Sequence, residues 1–583
     1  MGARQTLARF SWRLVPWCAA LAAACADLST RIPGELLVID TGAPVLLQGL
    51  HVGPPVVAGD AGPKRFLAAL DSTFDTARAL ETTAFVERFY RAPANDGYEA
   101  VLAHLEAQLR AHGYGTEDSF TLELLETPLE QRNAASGERE AAQAWTPLSA
   151  RIALIEPDSP PRVLHEFSTA EGVDRTMLPV HAPACEVEGG VALELLEIDP
   201  GEIFVTSAPP ERGLIGRARE RGAVALVSGN IEPYNVDPSG RQRHLDAVQF
   251  RQVEFATQLP VCMVSPRSLL ALREAAQRDP RTRVRFEARV RFDSRPLRTL
   301  CATIVGTDRA NEAVVTVSHV QEPGACDNAS GVAGLLESAC GIARAVRAGE
   351  LERPSRSLVF LWGDEFRQTA AWFAATQRKA VAGLSSDMTG ESRELTGAIA
   401  LLERMPDPGA LLALAPDAHT AWGQAEVDAQ RLVPNGLALI ARCALLDVAG
   451  IDGEWHTADH PYEGGSDHDE FIARGVPAAL FWHFTDFAYH TSLDRMAHVD
   501  GAELRRTALA LSATALALAD PKPADLERYL RSLNEERKLR VAAAEAEHEP
   551  ELAEAWRQWT DGARRWLRVE CLRIPEEELR DQP

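Results

Sequence analysis

The sequence predicts an α/β protein with a mostly parallel mixed sheet, helices on both faces of that sheet, and a small β-rich domain inserted into it. Two observations support this prediction. Between 297 and 520, apolar runs typical of strands alternate with segments whose apolar residues have helical spacing, the pattern of a largely parallel sheet covered by helices. Between about 160 and 290 the chain changes to short β-like runs separated by turn residues. The length of 583 residues also exceeds what one hydrophobic core usually holds.

The first 26 residues have the pattern of an export signal. Three arginines precede the short apolar stretch LVPWCAALAAACA, and a basic start, a short apolar run and small residues are the features of such signals. The stretch is about half as long as the ~20 residues of a membrane span. Cys25 is a candidate lipidated cysteine, although Leu21 lies one position too early for a good lipidation motif. We therefore expect an exported protein (periplasmic, extracellular or lipid-anchored), for which a lipid at Cys25 is the one candidate membrane attachment.

The remaining domain predictions follow the chain in order. Residues 27–64 are rich in proline and glycine and predict an extended lead-in. Residues 65–160 have helical spacing followed by short strands and predict the first part of the main domain. The β-rich insert is expected at 161–292 and the main part of the catalytic domain at 293–520. Residues 521–583 are highly charged with helical spacing, which predicts a C-terminal helical extension, either a hairpin packed on the body or an arm that binds a partner.

Charge and cysteine content exclude several classes of function. The chain has 60 Lys+Arg against 84 Asp+Glu, a net charge of −24. Nucleic acids and anionic membrane surfaces select for basic proteins, so neither is expected as a partner. Beyond the leader there are seven cysteines and no C-x-x-C pair, which argues against a disulfide framework and against a zinc ribbon.

Metal-binding side chains follow the predicted strands of the main domain. They are His319, Asp327, Glu365, Asp387 and His490. Ligands of an open α/β sheet gather outside the carboxyl ends of its strands, and two imidazoles with three carboxylates suit two divalent ions that share a bridging carboxylate. We expect His319 and Asp387 to hold one ion. Glu365 and His490 would hold the other, with Asp327 as the bridge. Asp364 would then remain free to take a proton from a water molecule.

Each of these residues alone has a more common structural explanation. A histidine at a strand end is usually hydrogen-bonded within the core, and Asp327 or Ser330 suits a helix N-cap. Asp364 and Glu365 alone suit an ordinary turn. The ordered occurrence of the whole set, with each member near a strand end, favours a metal centre over these separate explanations.

Five segments carry a family pattern, and they are SHVQEPGACDNASGVAGLLE, FLWGDEF, SSDMTG, GGSDHDEF and YHTSLD. They resemble the successive blocks of the dinuclear-zinc aminopeptidases, metallopeptidase family 28, which includes secreted leucyl aminopeptidases and aminopeptidase Y. The resemblance implies a zinc exopeptidase fold, two Zn²⁺ ions, and hydrolysis of N-terminal residues of peptides through a metal-activated water. It implies the five residues above as metal ligands, Asp364 as the general base, and Asp467 and His468 as substrate-binding residues. The insert resembles a protease-associated domain, a frequent companion of this family.

The chain departs from the family pattern at two positions beside the ligands. Family members usually carry Glu-Glu where this chain has Asp364 and Glu365. The shorter carboxylate of Asp364 lies about 1 Å away from the usual place, and a displacement of that order costs ~100-fold in rate. Gln321 replaces the aspartate of the usual His-x-Asp, and loss of such an orienting carboxylate typically costs ~10–100-fold in metal affinity or activity.

The sequence therefore predicts a zinc-dependent aminopeptidase whose substrates are peptides. Two alternatives remain open because of Asp364 and Gln321. One is a catalytically weakened or inactive family member that acts as a binding protein. The other is an enzyme similar to glutaminyl cyclase, which needs a single zinc ion. The zinc content of the protein and its hydrolysis of aminoacyl amides distinguish these three functions.

Overall fold

The computed structural model describes residues 51–132, 139–168, 175–412, 425–453 and 455–575, together with 414, 417, 419 and 578. Contacts divide the chain into Met1–Leu47 and Gln48–Pro583, and every described residue belongs to the second unit. The predicted export signal at 1–26, with Cys25, lies outside the described residues, as do residues 27–50 of the predicted lead-in.

Two sheets organise the described residues. The strands in chain order are β1 (His51–Val52), β2 (Phe120–Thr127), β3 (Glu130–Arg132), β4 (Arg139–Ala141), β5 (Ala144–Ile155), β6 (Arg162–Phe167), β7 (Cys185–Ala192), β8 (Ile203–Thr206), β9 (Ala225–Ser228), β10 (Val261–Met263), β11 (Arg283–Asp293), β12 (Leu297–Ile304), β13 (Arg309–His319), β14 (Arg356–Gly363), β15 (Lys379–Ser386), β16 (Ile399–Arg404), β17 (Thr457–His460) and β18 (Ala478–Phe484). A nine-stranded sheet has the order β1-β17-β16-β18-β15-β13-β14-β12-β2, and a seven-stranded sheet has the order β10-β9-β8-β7-β11-β5-β6.

The nine-stranded sheet is mixed, with more parallel than antiparallel pairs. β13 lies near its centre and is parallel to both of its neighbours, β14 and β15. Residues 313–319 of β13 are buried throughout, as expected for a strand covered on both faces by helices. Antiparallel pairs occur at β2–β12, β12–β14 and β16–β18. The predicted α/β fold class with a mostly parallel mixed sheet is confirmed.

Helices cover the sheet and form the C-terminal part of the described chain. They are α1 (Lys64–Thr73), α2 (Thr76–Glu87), α3 (Asp96–Ala111), α4 (Arg212–Glu220), α5 (Pro266–Arg278), α6 (Ala329–Ala348), α7 (Arg367–Ala375), α8 (Arg393–Thr396), α9 (Leu437–Asp452), α10 (His468–Ile472), α11 (Gly501–Ala519), α12 (Asp525–Ala546) and α13 (Pro550–Leu572). Across the described residues, no helix combines the length and the apolar character needed to span a bilayer.

Helix α6 fixes the position of the loop that precedes it. It is buried along nearly its whole length and packs against β13, α2 and α11. Asn328 is its N-cap, whose side chain accepts a hydrogen bond from the Gly331 backbone N–H, and it ends at Gly349 with a left-handed φ of 76°, the usual glycine stop. Because the helix is held in the core, residue 327 at its start is held there too.

The inserted β-rich domain is larger than the sequence predicted. Strand β5 pairs along its length with β11, from Ala144 opposite Asp293 to Ile155 opposite Arg283, and Trp145 of β5 is buried in the core of the insert. The predicted boundary at 161 is therefore wrong, since residues 144–155 belong to the sheet of the insert. The resemblance of this domain to a protease-associated domain remains a prediction.

The C-terminal helices α12 and α13 form a hairpin that packs on the body of the protein. Arg442 of α9 is 1% exposed, and it donates hydrogen bonds to Asp459 Oδ2 of β17 at 2.8 Å and to Glu536 Oε2 of α12 at 2.6 Å. Tyr529 and Leu567 of the hairpin belong to the same hydrophobic core as the main sheet. The hairpin is thus an integral part of the core of the main domain.

Candidate metal centre and active site

Strands β13, β14 and β15 end side by side and carry polar residues where they end. β13 ends at His319, Asp364 and Glu365 directly follow β14, and Asp387 directly follows β15. Because β13 is parallel to both neighbours, these carboxyl ends meet at one edge of the sheet. The apolar runs of the sequence form the strands, and the parallel arrangement of the strands brings the polar residues at their ends together.

His319 lies at the centre of one group of ligand atoms. Its Nε2 is 3.0 Å from Asp387 Oδ1. The same atom is 3.9 Å from Asp327 Oδ1 and 3.9 Å from Glu365 Oε1. One ligand atom each from His319, Glu365 and Asp387 lies within 4.8 Å of the other two, which is a separation that a single ion can span.

His490 lies in a second group next to the first. Its Nε2 is 2.9 Å from Asp327 Oδ2 and 3.1 Å from Glu322 Oε2. Asp327 therefore directs one carboxylate oxygen to each imidazole, as a bridging ligand must. The expected pairing of Glu365 with His490 is not what the structure shows, because Glu365 lies beside His319 and Glu322 takes the place beside His490.

The ligand atoms of this centre lack hydrogen-bond partners. Among the described residues, His319 Nε2, Asp327 Oδ2, Asp387 Oδ1 and His490 Nε2 are buried and accept or donate no hydrogen bond. The short distances between them lack hydrogen-bond geometry. Buried polar atoms are almost always satisfied in folded proteins, so four unsatisfied atoms that converge on one another fit metal ligands and fit few other roles.

The charges of the centre fit divalent cations. The carboxylates outnumber the imidazoles, and they are Glu322, Asp327, Glu365 and Asp387. Burial lowers the pKa of His319, but the charges of Asp387 and Glu365 outweigh burial and raise it well above its usual value. Burial and the neighbouring Asp327 raise the pKa of Glu322 to about 7. Two divalent ions would neutralise four carboxylates beside neutral imidazoles, and zinc accepts this ligand set.

Gln321 connects His319 to Glu365. Its backbone carbonyl accepts a hydrogen bond from His319 Nδ1 at 3.2 Å. Nδ1 therefore carries the proton, and Nε2 is free to bind a metal ion. The Gln321 side chain accepts a bond from the Glu365 backbone N–H at 2.8 Å and donates to Glu365 Oε2 at 3.3 Å. Gln321, which was expected to weaken the centre, thus orients two ligands: His319 through its backbone carbonyl and Glu365 through its side-chain amide.

Two buried side chains hold the loop between β13 and α6. Arg91 donates hydrogen bonds to the backbone carbonyls of Val320 and Gly324, both at 2.8 Å. Asp494 accepts from the backbone N–H groups of Cys326 and Asp327 at 2.7 and 2.8 Å. This bracing fixes the direction in which Asp327 faces the two imidazoles.

Asp364 is buried next to the centre and forms an ion pair. Burial raises its pKa to about 6, and the opposing charge of Arg367 is the next largest influence. Arg367 Nε lies 3.2 Å from Asp364 Oδ2. A carboxyl group with a pKa near neutrality suits proton transfer better than an ordinary aspartate does.

Comparison with known proteins shows a similarity to one peptidase family. The family model of peptidase family M28 matches residues 299–421 and 446–515, the segments that contain every predicted site residue. The matched segments, about a third of the chain, are similar to this family. This similarity places the protein among the peptide hydrolases.

Solved structures of two other proteins share the fold. A peptidase M28 precursor from Shewanella amazonensis SB2B is 15% identical, with a TM-score of 0.52, and the match covers 79% of this chain and 97% of that one. A zinc aminopeptidase from Bacillus subtilis is 13% identical, with a TM-score of 0.50, and the match covers 77% of this chain and 96% of that one. Among curated proteins no sequence matches this chain. At these identities the structures establish the α/β fold alone.

Asp467 positions the turn that carries Asp364 and Glu365. It is 0% exposed, and its Oδ1 accepts from the Phe366 backbone N–H at 2.8 Å and from Thr369 Oγ1 at 3.3 Å. Its Oδ2 accepts from Gln368 Nε2 at 2.6 Å. The predicted substrate-binding role of Asp467 is therefore corrected, because protein donors occupy both oxygens and no part of the side chain faces the solvent.

His468 also lies in the interior of the main domain. It is 0% exposed, and its Nε2 lies 3.0 Å from Glu403 Oε1, within hydrogen-bond distance. Its predicted contact with substrate is corrected for the same reason, since burial separates the ring from any cleft. His468 instead connects the start of α10 to the end of β16.

The sequence reasoning missed two residues that act on the centre. Glu322 follows His319 by three positions, and its backbone has a left-handed φ of 83°, which is rare for a residue other than glycine and often marks a functional site. Ser466 donates a hydrogen bond from Oγ to Asp387 Oδ2 at 2.9 Å. The spacing of the sequence does not reveal either residue. For Glu322 one signal was present, namely an acidic residue directly after His319-Val320-Gln321.

A cleft of about 780 Å³ opens onto the metal centre. Gln321, Glu322, Asp364 and Glu365 line the cleft, and so do residues of the insert, including His181. The insert and the main domain therefore enclose the approach to the centre together. A volume of this size accommodates several residues of a peptide.

Proposed function

We propose that this protein is a zinc-dependent exopeptidase that removes N-terminal residues from peptides. The single observation that carries the proposal is the convergence of four buried, unsatisfied ligand atoms, from His319, Asp327, Asp387 and His490, next to a cleft that Glu322 and Glu365 line. Export of the protein, suggested by its first 26 residues, remains part of this proposal.

In this proposal the centre holds two zinc ions. His319 and Asp387 are ligands of one ion, His490 and Glu322 of the other, and Asp327 is the shared ligand. Glu365 completes the group around His319. When bound, the ions supply Lewis acidity, which polarises a peptide carbonyl and lowers the pKa of water.

Asp364 is the residue that moves the proton. With its pKa raised to about 6 by burial, it is ionised at the start of the reaction at neutral pH and still basic enough to accept a proton from the attacking water. The protonated carboxyl then donates to the nitrogen of the leaving peptide. Asp467 keeps this carboxyl in place by holding the backbone of Phe366 and the side chain of Gln368.

The charge of the inner cleft supports the preference for a free amino terminus. Glu322, Asp364 and Glu365 line the cleft, and the two arginines that line it beside them are already engaged, since Arg367 pairs with Asp364 and Arg91 donates to backbone carbonyl groups. A protonated amine is attracted to such an acidic pocket, whereas a C-terminal carboxylate is repelled from it. Peptides with a free N-terminus are therefore the proposed substrates.

A second function, binding with weakened turnover, is favoured by one specific observation. Arg367 lies 3.2 Å from the shortened acid Asp364, and an ion pair of this kind reduces the basicity that proton transfer needs. The protein would then retain metal and peptide affinity without efficient hydrolysis.

A panel of aminoacyl p-nitroanilides, assayed with the zinc-loaded protein, tests the proposal. We expect hydrolysis of at least one member and a loss of ~100-fold or more in kcat for Asp364→Asn, with the zinc content unchanged. N-acetylated versions of the same substrates are the control, because they lack the free amine and should not be cleaved. Zinc binding without hydrolysis of any amide supports the binding function instead, and cleavage of the acetylated substrates contradicts the exopeptidase assignment.

A further inference from the structure

A second cluster of metal-binding side chains lies outside the catalytic centre. Glu403 is near the end of β16, His460 is the last residue of β17, and Glu463 follows in the next loop. One ligand atom from each of them lies within 4.8 Å of the other two. Ser385 of β15 pairs with Leu480 of β18, which in turn pairs with Glu403. The cluster is thus two strands away from β15, or roughly 10 Å at the usual strand spacing.

His460 is arranged as a ligand of this cluster. Its side chain is 5% exposed, and Nδ1 lies 3.0 Å from the Pro461 carbonyl oxygen. A carbonyl oxygen can only accept, so Nδ1 carries the proton and Nε2 has a free lone pair. Among the described residues Nε2 has no hydrogen-bond partner. Metal-binding histidines typically donate their other N–H to a backbone carbonyl in this way.

The spacing of the facing atoms leaves room for an ion. His460 Nε2 is 3.7 Å from Glu463 Oε1. His419 Nδ1 is also 3.7 Å from the same oxygen, and within the described part of the chain it too has no hydrogen-bond partner. These separations are too long for hydrogen bonds. They are close to the ~3.3 Å between ligands of a tetrahedral zinc ion with bonds of ~2.0–2.1 Å.

We propose that Glu403, His460 and Glu463, with His419 as a fourth ligand, bind one further divalent ion of the borderline class, such as Zn²⁺. Imidazole and carboxylate ligands in equal number select this class over Mg²⁺ or Ca²⁺. Glu403 is already oriented for this role, because its Oε1 accepts from the backbone N–H groups of Glu463 and Gly464 at 3.0 and 2.8 Å.

The ion would hold the loop that leads to the catalytic centre. The loop contains Gly464 and Gly465, with left-handed φ values of 73° and 101°, and it continues to Ser466, which donates a hydrogen bond to Asp387. An ion that fixes Glu463 to β16 and β17 thereby fixes the position of Ser466 beside a catalytic ligand. The site is structural, and its ligands are positioning residues.

Metal analysis of purified, zinc-saturated and dialysed protein tests this proposal. We expect Glu463→Gln to contain one zinc ion per chain fewer than the wild type. His456→Gln is the matched control, since His456 is four residues from His460 and outside the cluster, and its zinc content should equal that of the wild type. The difference in zinc content between wild type and Glu463→Gln counts the ion of this cluster alone, whatever number of ions the catalytic centre holds. Failure of this inference can therefore be distinguished from failure of the proposed peptidase function. Equal zinc content of wild type and Glu463→Gln overturns the proposal.

A measurement on the unaltered protein covers the case in which the variant does not fold. Crystals of the zinc-loaded wild type should show an anomalous scattering peak at the zinc edge between His460 Nε2 and Glu463 Oε1. Absence of that peak, with zinc present at the catalytic centre, overturns the proposal.

Discussion

The positioning role of Asp467 leads to a quantitative prediction for a pair of substitutions. Asp467→Ala removes the acceptor of three donors, the Phe366 backbone N–H, Thr369 Oγ1 and Gln368 Nε2, in a place with no access to solvent. Each buried donor without a partner costs about 1–3 kcal/mol. Allowing for partial relaxation, we expect the free energy of unfolding to fall by about 3–5 kcal/mol.

The matched variant Asp467→Asn should be much milder. Asparagine keeps one oxygen for the Phe366 N–H, and Gln368 can rotate its amide by 180° so that Oε1, which has no partner among the described residues, accepts from the new NH₂ group. The expected loss of stability is about 1 kcal/mol, because the three hydrogen bonds to a carboxylate become hydrogen bonds with a neutral amide, while the cost of burying a charge is removed. The assay is urea denaturation at pH 8, where Asp467 is ionised because burial raises its pKa only to about 6.

Activity distinguishes positioning from substrate contact. If Asp467 holds the Asp364 turn, Asp467→Ala should reduce kcat by ~100-fold through a displacement of about 1 Å, with little change in KM. Unchanged stability of Asp467→Ala together with a higher KM and an unchanged kcat would refute the reasoning, since that is the signature of a lost substrate contact.

Three further predictions concern the centre and the core. Glu322→Gln should weaken the binding of one zinc ion by ~10–100-fold or more, measured by competition with a chelator. The control Glu470→Gln, in the same cleft but outside the centre, should leave the zinc affinity unchanged. Equal zinc affinities of the two variants would exclude Glu322 as a ligand. Gln321→Ala should reduce zinc affinity by ~10–100-fold through loss of its bonds to Glu365; retained affinity in the same titration would show that the backbone of residue 321 suffices. Arg442→Met should lower the free energy of unfolding, measured by thermal denaturation, by about 3–5 kcal/mol, because it leaves the buried Asp459 and Glu536 with fewer partners. The control Lys538→Met removes an exposed ion pair and should lower it by under about 1 kcal/mol. Similar losses for both variants would contradict the buried role of Arg442.

The sequence predicted the fold class and the gathering of strand-end residues because those features depend on local patterns. The run AVVTVSH that ends in His319 is mostly apolar and carries no charge, as expected for a strand buried on both faces. Once β13, β14 and β15 are placed as parallel neighbours, His319, Glu365 and Asp387 meet without further information.

Features set by distant partners were not predictable from the sequence. Strand β5 belongs to the insert because it pairs with β11, more than a hundred residues later in the chain. Asp467 and His468 resemble substrate contacts in a motif, but Gln368 and Glu403 bury them. The side chain of Glu322 reaches His490 because the backbone adopts a positive φ in a loop that Arg91 holds, and no periodicity encodes that conformation.

The zinc content and turnover of Asp327→Asn, compared with those of the wild type, test the central claim most directly. Asp327 presents one oxygen to His319 and the other to His490, so its replacement should remove two zinc ions per chain and abolish hydrolysis of the aminoacyl amide, while far-ultraviolet circular dichroism remains that of the wild type. An Asp327→Asn protein that keeps the wild-type zinc content and turnover would contradict a dinuclear centre at the carboxyl ends of β13, β14 and β15.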